Sequence, residues 1–292
     1  MRFELAGSLV HPDPVVITFG MNQNFVPEDY IRLGYTNFDV ICIGGGGGMG
    51  GGINTENSGN QMRSTGGAGG GGGLHRVQGL LSALSDSCAV IVGSGGNIGI
   101  EDLSNPGNTT DGGDGGYSSF NGDTCQASGG QGGRRVQTNS FTEGTLATGG
   151  EGGIGGSTIS GGGGLGGTAG IPTVNGPGTP GTPGEDGDWN GTIGAGGGGG
   201  AGGVNKYGSP PITCNAATAG GRGSYNPGDL SVYGPGSDPG MDDASGATAG
   251  MPGGASGAKA APLNGLPYIY GQSKSHHAPG DPGIVIMRII SQ

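Results

Sequence analysis

The chain has 292 residues, of which 79 are glycine and 18 are proline, and its formal net charge is −11. A surface this acidic, without a run of Lys and Arg, makes nucleic acids and anionic membranes poor partners. No stretch approaches the roughly 18 consecutive apolar residues of a membrane span, so no membrane span is expected.

Composition also restricts what can hold the fold together. Only 11% of residues are charged, which argues against a long disordered chain, since such chains are normally rich in charge. Only 5% are aromatic, which leaves too little apolar area for an ordinary core of this length. A folded state must therefore depend mostly on something other than buried side chains.

Residues 1–36 are predicted to form an N-terminal segment that serves in attachment or docking. Two extended pieces are expected there, around 3–9 and 15–19, and a short helix is expected over 27–34. Pro27 would occupy its first helical position and Gly34 its C-terminal stop, although an irregular connection is an alternative. The first residues lack the uninterrupted apolar run of a secretory signal, so no secretion signal is expected.

Residues 37–292 are predicted to form one glycine-rich domain. It starts with a strand over 38–43, because the sequence FDVICI is apolar and rich in β-branched residues. The strand continues directly into a glycine tract over 44–52. A polar loop is predicted for 53–65, followed by a second glycine tract over 66–73.

The next segment, 75–93, is ambiguous from periodicity alone. Val77, Leu80, Leu81 and Leu84 have the spacing of an amphipathic helix. However, Gly79 inside it disfavours a helix by about 1 kcal/mol relative to Ala. We therefore predict a strand, a turn and a strand, with a helix followed by a strand as the alternative.

No conventional element is predicted between 97 and 280, where glycine tracts alternate with Ser, Thr, Asn, Asp and Pro linkers. The chain then ends in its strongest strand, 284–290, which includes Ile284 and Ile286. This strand is the natural partner of 38–43. A chain whose long middle begins and ends with good strands is expected to close on itself.

Packed glycine tracts can replace a side-chain core. An extended glycine helix of the polyproline-II type rises about 3.1 Å per residue and leaves every N–H and C=O free to bond outward. Only glycine lets such backbones approach on all sides. The predicted class is thus mostly β and irregular with little α-helix: a small antiparallel frame closed by the C-terminal strand, with a bundle of polyglycine-II-like helices. The residues assigned a structural role are Gly44, Gly45, Gly46, Gly47, Gly48, Ile284 and Ile286.

Motifs for chemistry are weak, and we expect neither an enzyme nor a cofactor. Matches to GxGxxG are unavoidable at this glycine content, and none has the context of a phosphate-binding loop. Asp186, Asp188 and Asn190 copy the first half of a calcium loop, but Gly197 stands where a bidentate Glu is required. A weak calcium site and a set of Asx turns are the alternatives there. Cys42 and Cys88 lie in apolar, strand-like runs and are interpreted as free buried thiols, with a disulfide or a metal site as the alternatives.

The aromatic side chains in the linkers are the residues best suited to recognition. Exposed aromatic rings between glycine tracts would suit the binding of a glycan or a protein surface. Padding of the bundle is the alternative. The receptor-contact candidates are Tyr117, Phe120, Trp189 and Tyr207.

Three motifs together resemble a known family: FDVICIGGGGG (38–48), AVIVGSGG (89–96) and PGIVIMR (282–288). In this order they resemble the glycine-rich minor tail proteins of actinobacterial phages, such as mycobacteriophages. The resemblance covers roughly 14–96 and 280–290, whereas the middle is similar only in composition. It carries over no catalytic residues.

The resemblance implies a structural protein of the virion, located at the tail tip or in a tail fibre and assembled in the host cytoplasm. It implies packed polyglycine helices with recognition loops at one end. The expected partners are other tail or baseplate proteins, a glycan or protein of the host surface, and further copies of the chain, with a trimer favoured. The alternative is a cellular glycine-rich surface or ice-binding protein, against which the missing export signal counts.

Overall fold

A computed structural model describes residues 12–57, 60–64, 66–67, 69–100, 109–136, 146–147, 151, 153–154, 156, 165–168, 182, 203–204, 206–207, 280 and 282–291. The strands within these ranges are β1 (Val15–Phe19), β2 (Gln23–Phe25), β3 (Asn37–Ile43), β4 (Ile53–Asn57), β5 (Asn60–Ser64), β6 (Leu74–Leu80), β7 (Cys88–Ile91), β8 (Ser118–Phe120), β9 (Cys125–Ala127), β10 (Leu146–Ala147), β11 (Gly203–Val204), β12 (Lys206–Tyr207) and β13 (Ile284–Ile290). The predicted class, mostly β and irregular with little α-helix, is confirmed for these residues.

The main sheet has the strand order β1-β13-β3-β6, and all of its neighbours are antiparallel. Its centre is the pair β3 and β13, in which Ile41 lies opposite Ile286 and Val40 lies opposite Met287. The predicted pairing of the first apolar strand with the C-terminal strand is confirmed. The paired residues Ile43 and Ile284 are 241 positions apart in the numbering (284 − 43), so this pairing joins both ends of the glycine-rich region.

The second sheet has the order β2-β7-β8-β9 and is also antiparallel. It packs on the main sheet around one apolar core, in which the Phe120 ring lies 5.9 Å from Phe25 and 6.0 Å from Phe38. The core takes the inward-facing residues of β3 and β13 from one side and those of β7, β8 and β9 from the other. Burial of ordinary apolar side chains is therefore concentrated in this pair of sheets.

Helical structure in the described ranges is short. The α-helix α1 spans Glu28–Ile31, and Pro27 precedes it as the capping residue. The helix predicted over 27–34 is thus real but only four residues long, and Pro27 does not occupy its first position. The helix ends at Ile31, and Gly34 ends the turn that follows it with a φ of 91°, a left-handed conformation that favours glycine. No described helix has the length and apolar character needed to cross a membrane.

The segment 74–96 is a strand, a 3₁₀ turn and a strand, as predicted. The alternative of a helix followed by a strand is wrong. Leu74–Leu80 pairs residue for residue with β3, so sheet pairing outweighs the helical spacing of its apolar residues. The 3₁₀ turn Leu81–Ala83 follows, and Leu81 is buried in the core.

Two predictions for irregular regions are wrong. The segment predicted as a polar loop, 53–65, forms the hairpin of β4 and β5, and β12 adds to its β5 side. The region from 97 to 280, predicted to lack conventional elements, contains β8 to β12. These strands have two to five residues and take their stability from pairing, which a sequence pattern of that length does not reveal.

The described part of the N-terminal segment belongs to the two sheets. Val15–Phe19 pairs with β13, and Gln23–Phe25 pairs with β7. A boundary after residue 36 therefore does not separate these strands from the rest of the fold. The extended piece predicted around 3–9 lies outside the described residues.

Candidate functional site

The central tract (44–52) leaves the main sheet at the end of β3, and its residues are buried. Every third N–H along it donates to the neighbouring second tract (66–67 and 69–73). The N···O distances are 3.0 Å for Gly44 to Gly73, 2.8 Å for Gly47 to Gly70 and 2.9 Å for Gly50 to Gly67. The two tracts are antiparallel, because one set of numbers rises as the other falls.

Two further neighbours bond to the other sides of the central tract. The N–H groups of Gly45, Gly48 and Gly51 donate to the carbonyls of Gly116, Gly113 and Thr110 in the fourth tract (109–117), at 2.9, 2.9 and 3.0 Å. The carbonyls of Gly45, Gly48 and Gly51 accept from Gly130, Gly133 and Val136 in the fifth tract (128–136), at 2.9, 2.9 and 3.0 Å. A donor spacing of three residues is what a polyglycine-II-like helix requires, and that helical form stays a prediction.

Within the described ranges, five chain segments lie against the central tract. Besides the second, fourth and fifth tracts, the third tract (93–100) donates from Gly96 and Gly99 to the carbonyls of Gly46 and Met49, at 2.8 and 2.7 Å. Gly280 approaches the Gly46 carbonyl from the remaining side and donates to Gly96. The outer segments also bond to one another, for example Gly67 N to Arg134 O at 2.9 Å. The body is therefore a hydrogen-bonded bundle with a glycine tract at its axis.

Side chains are sterically excluded at Gly44, Gly45, Gly47, Gly48, Gly50 and Gly51 of this axis. A Cβ built on Gly47 would overlap the backbone of Gln131, and one built on Gly48 would overlap that of Asn97, each closer than the 3.0 Å that real Cβ atoms respect. Met49 is the one non-glycine residue of 44–52, and it is buried. Backbones thus approach closely at Gly44, Gly45, Gly47 and Gly48, and the structural role predicted for Gly44 to Gly48 stays a prediction.

The tracts run in two opposite directions, so the connections between them lie either at the sheets or at the far end of the bundle. The central, third and fifth tracts follow β3, β7 and β9 and run away from the sheets, whereas the second and fourth tracts return to β6 and β8. At the far end, Thr110 N lies 3.1 Å from Ile100 O and Val136 N lies 3.0 Å from Gly51 O. The connections that follow residues 52, 100 and 136 therefore all start at this distal end.

Two aspartates border the bundle on the outer side of the fourth and fifth tracts. Asp111 Oδ1 accepts from the N–H of Arg135, and Asp114 Oδ1 accepts from the N–H of Gly132, both at 2.8 Å. Asp111 and Asp114 are three residues apart, and so are the donors Gly132 and Arg135. Each carboxylate therefore accepts a hydrogen bond that the backbone carbonyl of a further tract would accept elsewhere in the bundle. Asp111 Oδ2 also accepts from Arg134 Nη1 at 2.8 Å.

The hydrogen bonds of Asp111 change its acidity. Burial acts to raise the pKa of this carboxyl group, but the N–H of Arg135 and the guanidinium of Arg134 outweigh burial and lower the pKa below its usual range. The sequence signal for these two aspartates is the repeat DGGDGG (111–116), in which Asp recurs after three residues.

A charged pair lies on the face of the main sheet that points away from the core. Asp39 on β3 accepts from Arg76 on β6 through Nε at 2.8 Å and through Nη2, and from Gln78 Nε2 at 3.1 Å. Burial acts to raise the pKa of Asp39, whereas the bonds from Arg76 and Gln78 lower it, and the net direction is down. Sequence reasoning did not identify this pair, because it depends on the register of β3 and β6.

The receptor-contact candidates do not form one site. Phe120 was predicted to be exposed but is fully buried in the core between the sheets, so its assignment is wrong. Tyr117 is 47% exposed and precedes β8 at the sheet end of the fourth tract. The backbone of Tyr207 pairs with Asn60 in the hairpin that follows the central tract, toward the opposite end of the bundle. Trp189 lies outside the described residues.

The predicted structural isoleucines lie in β13, where Ile286 is buried and Ile284 packs against the same small cluster on the outer face. The three cysteines in the described ranges, Cys42, Cys88 and Cys125, are free and buried, which confirms the interpretation of Cys42 and Cys88. Cys42 Sγ lies 3.4 Å from the Cys125 carbonyl oxygen. Contact with the Cys125 thiol and burial both raise the pKa of Cys42.

Among the described residues, no group of three or more His, Cys, Asp or Glu side chains is placed to hold a metal ion. The calcium candidates Asp186, Asp188 and Asn190 lie outside these residues. No model of a known protein family matches the chain, and no curated protein is significantly similar to it. What the described residues offer is a rigid body with connections gathered at each end.

Proposed function

We propose that this protein is a structural component of a phage tail, at the tail tip or in a tail fibre, and that it takes part in adsorption to the host. The observation that carries the proposal is the hydrogen-bonded bundle around the central tract, from which the connections after residues 52, 100 and 136 all leave at the distal end. Such a body can hold variable segments in fixed positions without using their side chains for folding.

The two ends of the molecule suit different tasks. The sheets have an ordinary apolar core and close the chain through β3 and β13. The distal end is held by backbone bonds such as Gly51 N to Thr110 O at 3.0 Å. The sheet end would join other tail or baseplate proteins, and the distal end would contact a glycan or protein of the cell surface. The family resemblance of the motifs at 38–48, 89–96 and 282–288 supports this assignment.

The proposal requires the protein to be part of the particle. Phage particles purified from a host that produces this chain should contain its peptides in mass spectrometry, and antibodies against it should label tails in electron micrographs. Particles that contain the other tail proteins but lack these peptides would contradict the proposal.

Its role in adsorption is tested at the distal hairpin. Replacing 53–64 by a short Gly-Ser connection should leave particle assembly intact and reduce adsorption at least tenfold. The control is a Gly-Ser replacement at 20–21, the exposed connection between β1 and β2, which belongs to neither the distal end nor the opposite end of the sheets. Unchanged adsorption by the hairpin variant would contradict a recognition role for that part of the distal end.

A further inference from the structure

The end of the two sheets that faces away from the glycine tracts, which we call the base, is formed mainly by three connections: 26–36, 81–87 and 121–124. The segments 12–14 and 290–291 lie beside the first connection, since the Tyr35 hydroxyl donates to Asp13 O at 2.8 Å and Thr36 N donates to Ile290 O at 3.1 Å. Leu81 N donates to Thr36 O at 2.9 Å, which joins the first connection to the second. Ser85 Oγ lies 3.2 Å from Asn121 Oδ1 and so bonds the second connection to the third. All three are within the described residues.

The base exposes large apolar side chains that nothing in the fold requires to be there. Leu33 follows α1 and is 66% exposed, and Leu80 at the end of β6 is 51% exposed. Val26, which precedes α1, is 38% exposed. Single exposed apolar residues are ordinary, but three on one small surface are typical of a contact site.

The same surface is acidic. Exposed carboxylates lie in the same three connections, whereas Arg32 is the one basic residue there and is already paired with Glu28 at 3.0 Å. The carboxylates are those of Glu28, Asp29, Asp86 and Asp123. A partner must therefore supply positive charge around an apolar contact.

The base is also held in a fixed conformation. Tyr30 of α1 stacks on the core residue Phe25, with ring centroids 5.2 Å apart, and contacts Tyr35 at 6.3 Å. Leu33 N and Gly34 N bond back to Tyr30 O and Ile31 O, both at 3.0 Å. A surface that is already ordered loses little conformational entropy when it binds.

We propose that the base docks onto a basic protein surface, with Leu33, Leu80 and Val26 at the centre of the contact and the four carboxylates around it. This inference rests on the proposed function, since the partner would be another protein of the tail. It extends the attachment role predicted for 1–36, because two of the three connections come from later in the chain.

The test uses tail particles from a mutant phage that lacks this protein, mixed with purified full-length protein and sedimented. Wild-type protein should sediment with the particles, and binding should weaken at least tenfold when NaCl rises from about 50 to about 300 mM. Leu33→Asp should weaken binding at least tenfold at low salt, and the triple variant Asp29→Lys, Asp86→Lys, Asp123→Lys should do the same.

The matched control is Ile100→Asp, because Ile100 is 63% exposed but lies on the third tract at the distal end. It should bind like wild type, and all variants should keep the wild-type Tm. Binding of the Leu33 and triple-Lys variants at wild-type strength would overturn the inference while leaving the protein in the tail. A wild-type dimer that Leu33→Asp dissociates would also overturn it, because a second copy would then cover the base. Absence of the chain from wild-type particles would instead defeat the proposed function itself.

Discussion

The backbone N–H of Gly47 lies 2.8 Å from the carbonyl oxygen of Gly70, although 23 positions of numbering separate the two residues. Neither residue has a side chain, and both are buried. In most proteins such a contact between distant segments is made by apolar side chains, whereas here it is a hydrogen bond between two main chains. The stability of the bundle should therefore respond to added atoms more than to removed ones.

Gly47→Ala should strongly destabilise the protein. The new Cβ would overlap the carbonyl of Gln131, so the fifth tract must move and lose its bonds to the central tract. We expect a loss of about 3 kcal/mol or more in the free energy of unfolding, measured by urea denaturation. Gly20→Ala is the control, since nothing lies within 4 Å of a Cβ there, and it should change stability by less than about 0.5 kcal/mol. Equal effects of the two variants would contradict close packing at Gly47.

The amide protons of the central tract should exchange slowly with deuterium. The N–H groups of Gly44, Gly47 and Gly50 are buried and bonded to the second tract, so their exchange requires the bundle to open. Mass spectrometry of peptides that cover 44–52 should show protection that disappears in denaturant. Exchange at the rate of an unfolded peptide would show that the tracts are not bonded in solution.

The ionisation of Asp39 should make the free energy of unfolding depend on pH. Its pKa is lowered in the folded state, so its contribution is fully present above the unfolded value of about 4 and is lost as pH falls through the folded pKa. Asp39→Asn should cost about 1–3 kcal/mol at pH 7 and progressively less below pH 4. Glu28→Gln is the control, because the Glu28–Arg32 pair is exposed and should contribute about 0.5 kcal/mol or less. A cost of Asp39→Asn that stays constant from pH 7 to pH 2 would refute this role.

The buried thiols should be inert in the native protein. Cys42, Cys88 and Cys125 are inaccessible, and burial contributes to raising the pKa of Cys42 and Cys88, which disfavours the reactive thiolate. In a Cys214→Ser background, DTNB should detect no thiol before denaturation and three after it. Rapid reaction of the folded variant would show that the core between the sheets opens readily.

Phe120 and Tyr117 should differ sharply when each is replaced by Ala. Phe120 fills the core between Phe25 and Phe38, so its truncation should cost about 3–5 kcal/mol. Tyr117 is half-exposed, and its truncation should cost about 1 kcal/mol or less. Thermal unfolding monitored by circular dichroism would measure both variants, and a larger loss for Tyr117→Ala would contradict the packing described.

Sequence reasoning found the elements that have strong local patterns. The strand Ile284–Ile290 has its predicted bounds, and Asn37–Ile43 begins one residue before the predicted start. Both strands are continuous apolar, β-branched runs bounded by glycine or polar residues, and such runs are typical of buried strands. Close backbone approach along 44–48 was expected from the adjacent glycines, and the structure has it at Gly44, Gly45, Gly47 and Gly48.

Features that depend on register were not predictable. Phe120 lies in a polar linker whose pattern gives no sign that Ser118–Phe120 pairs with Ile91 and Val90, and this pairing is what buries its ring. Likewise, Asp39 and Arg76 meet because the register of β3 and β6 places Asp39 opposite Gln78 and Arg76 opposite Ile41, which makes the two charged residues diagonal neighbours on one face. The three-residue spacing of Asp111 and Asp114 is visible in the sequence. Their partners on the fifth tract, Gly132 and Arg135, become known only when the tracts are placed side by side.

The recurrence of donors at every third residue of the central tract restricts how such a sequence can change in evolution. Inserting one residue between Gly44 and Gly50 would move every later donor to a side that faces a different neighbour. Inserting three would restore each donor to its side and lengthen the tract by one repeat. Length variation among proteins with this bundle should therefore occur in steps of three within the tracts and without restriction in the connections between them.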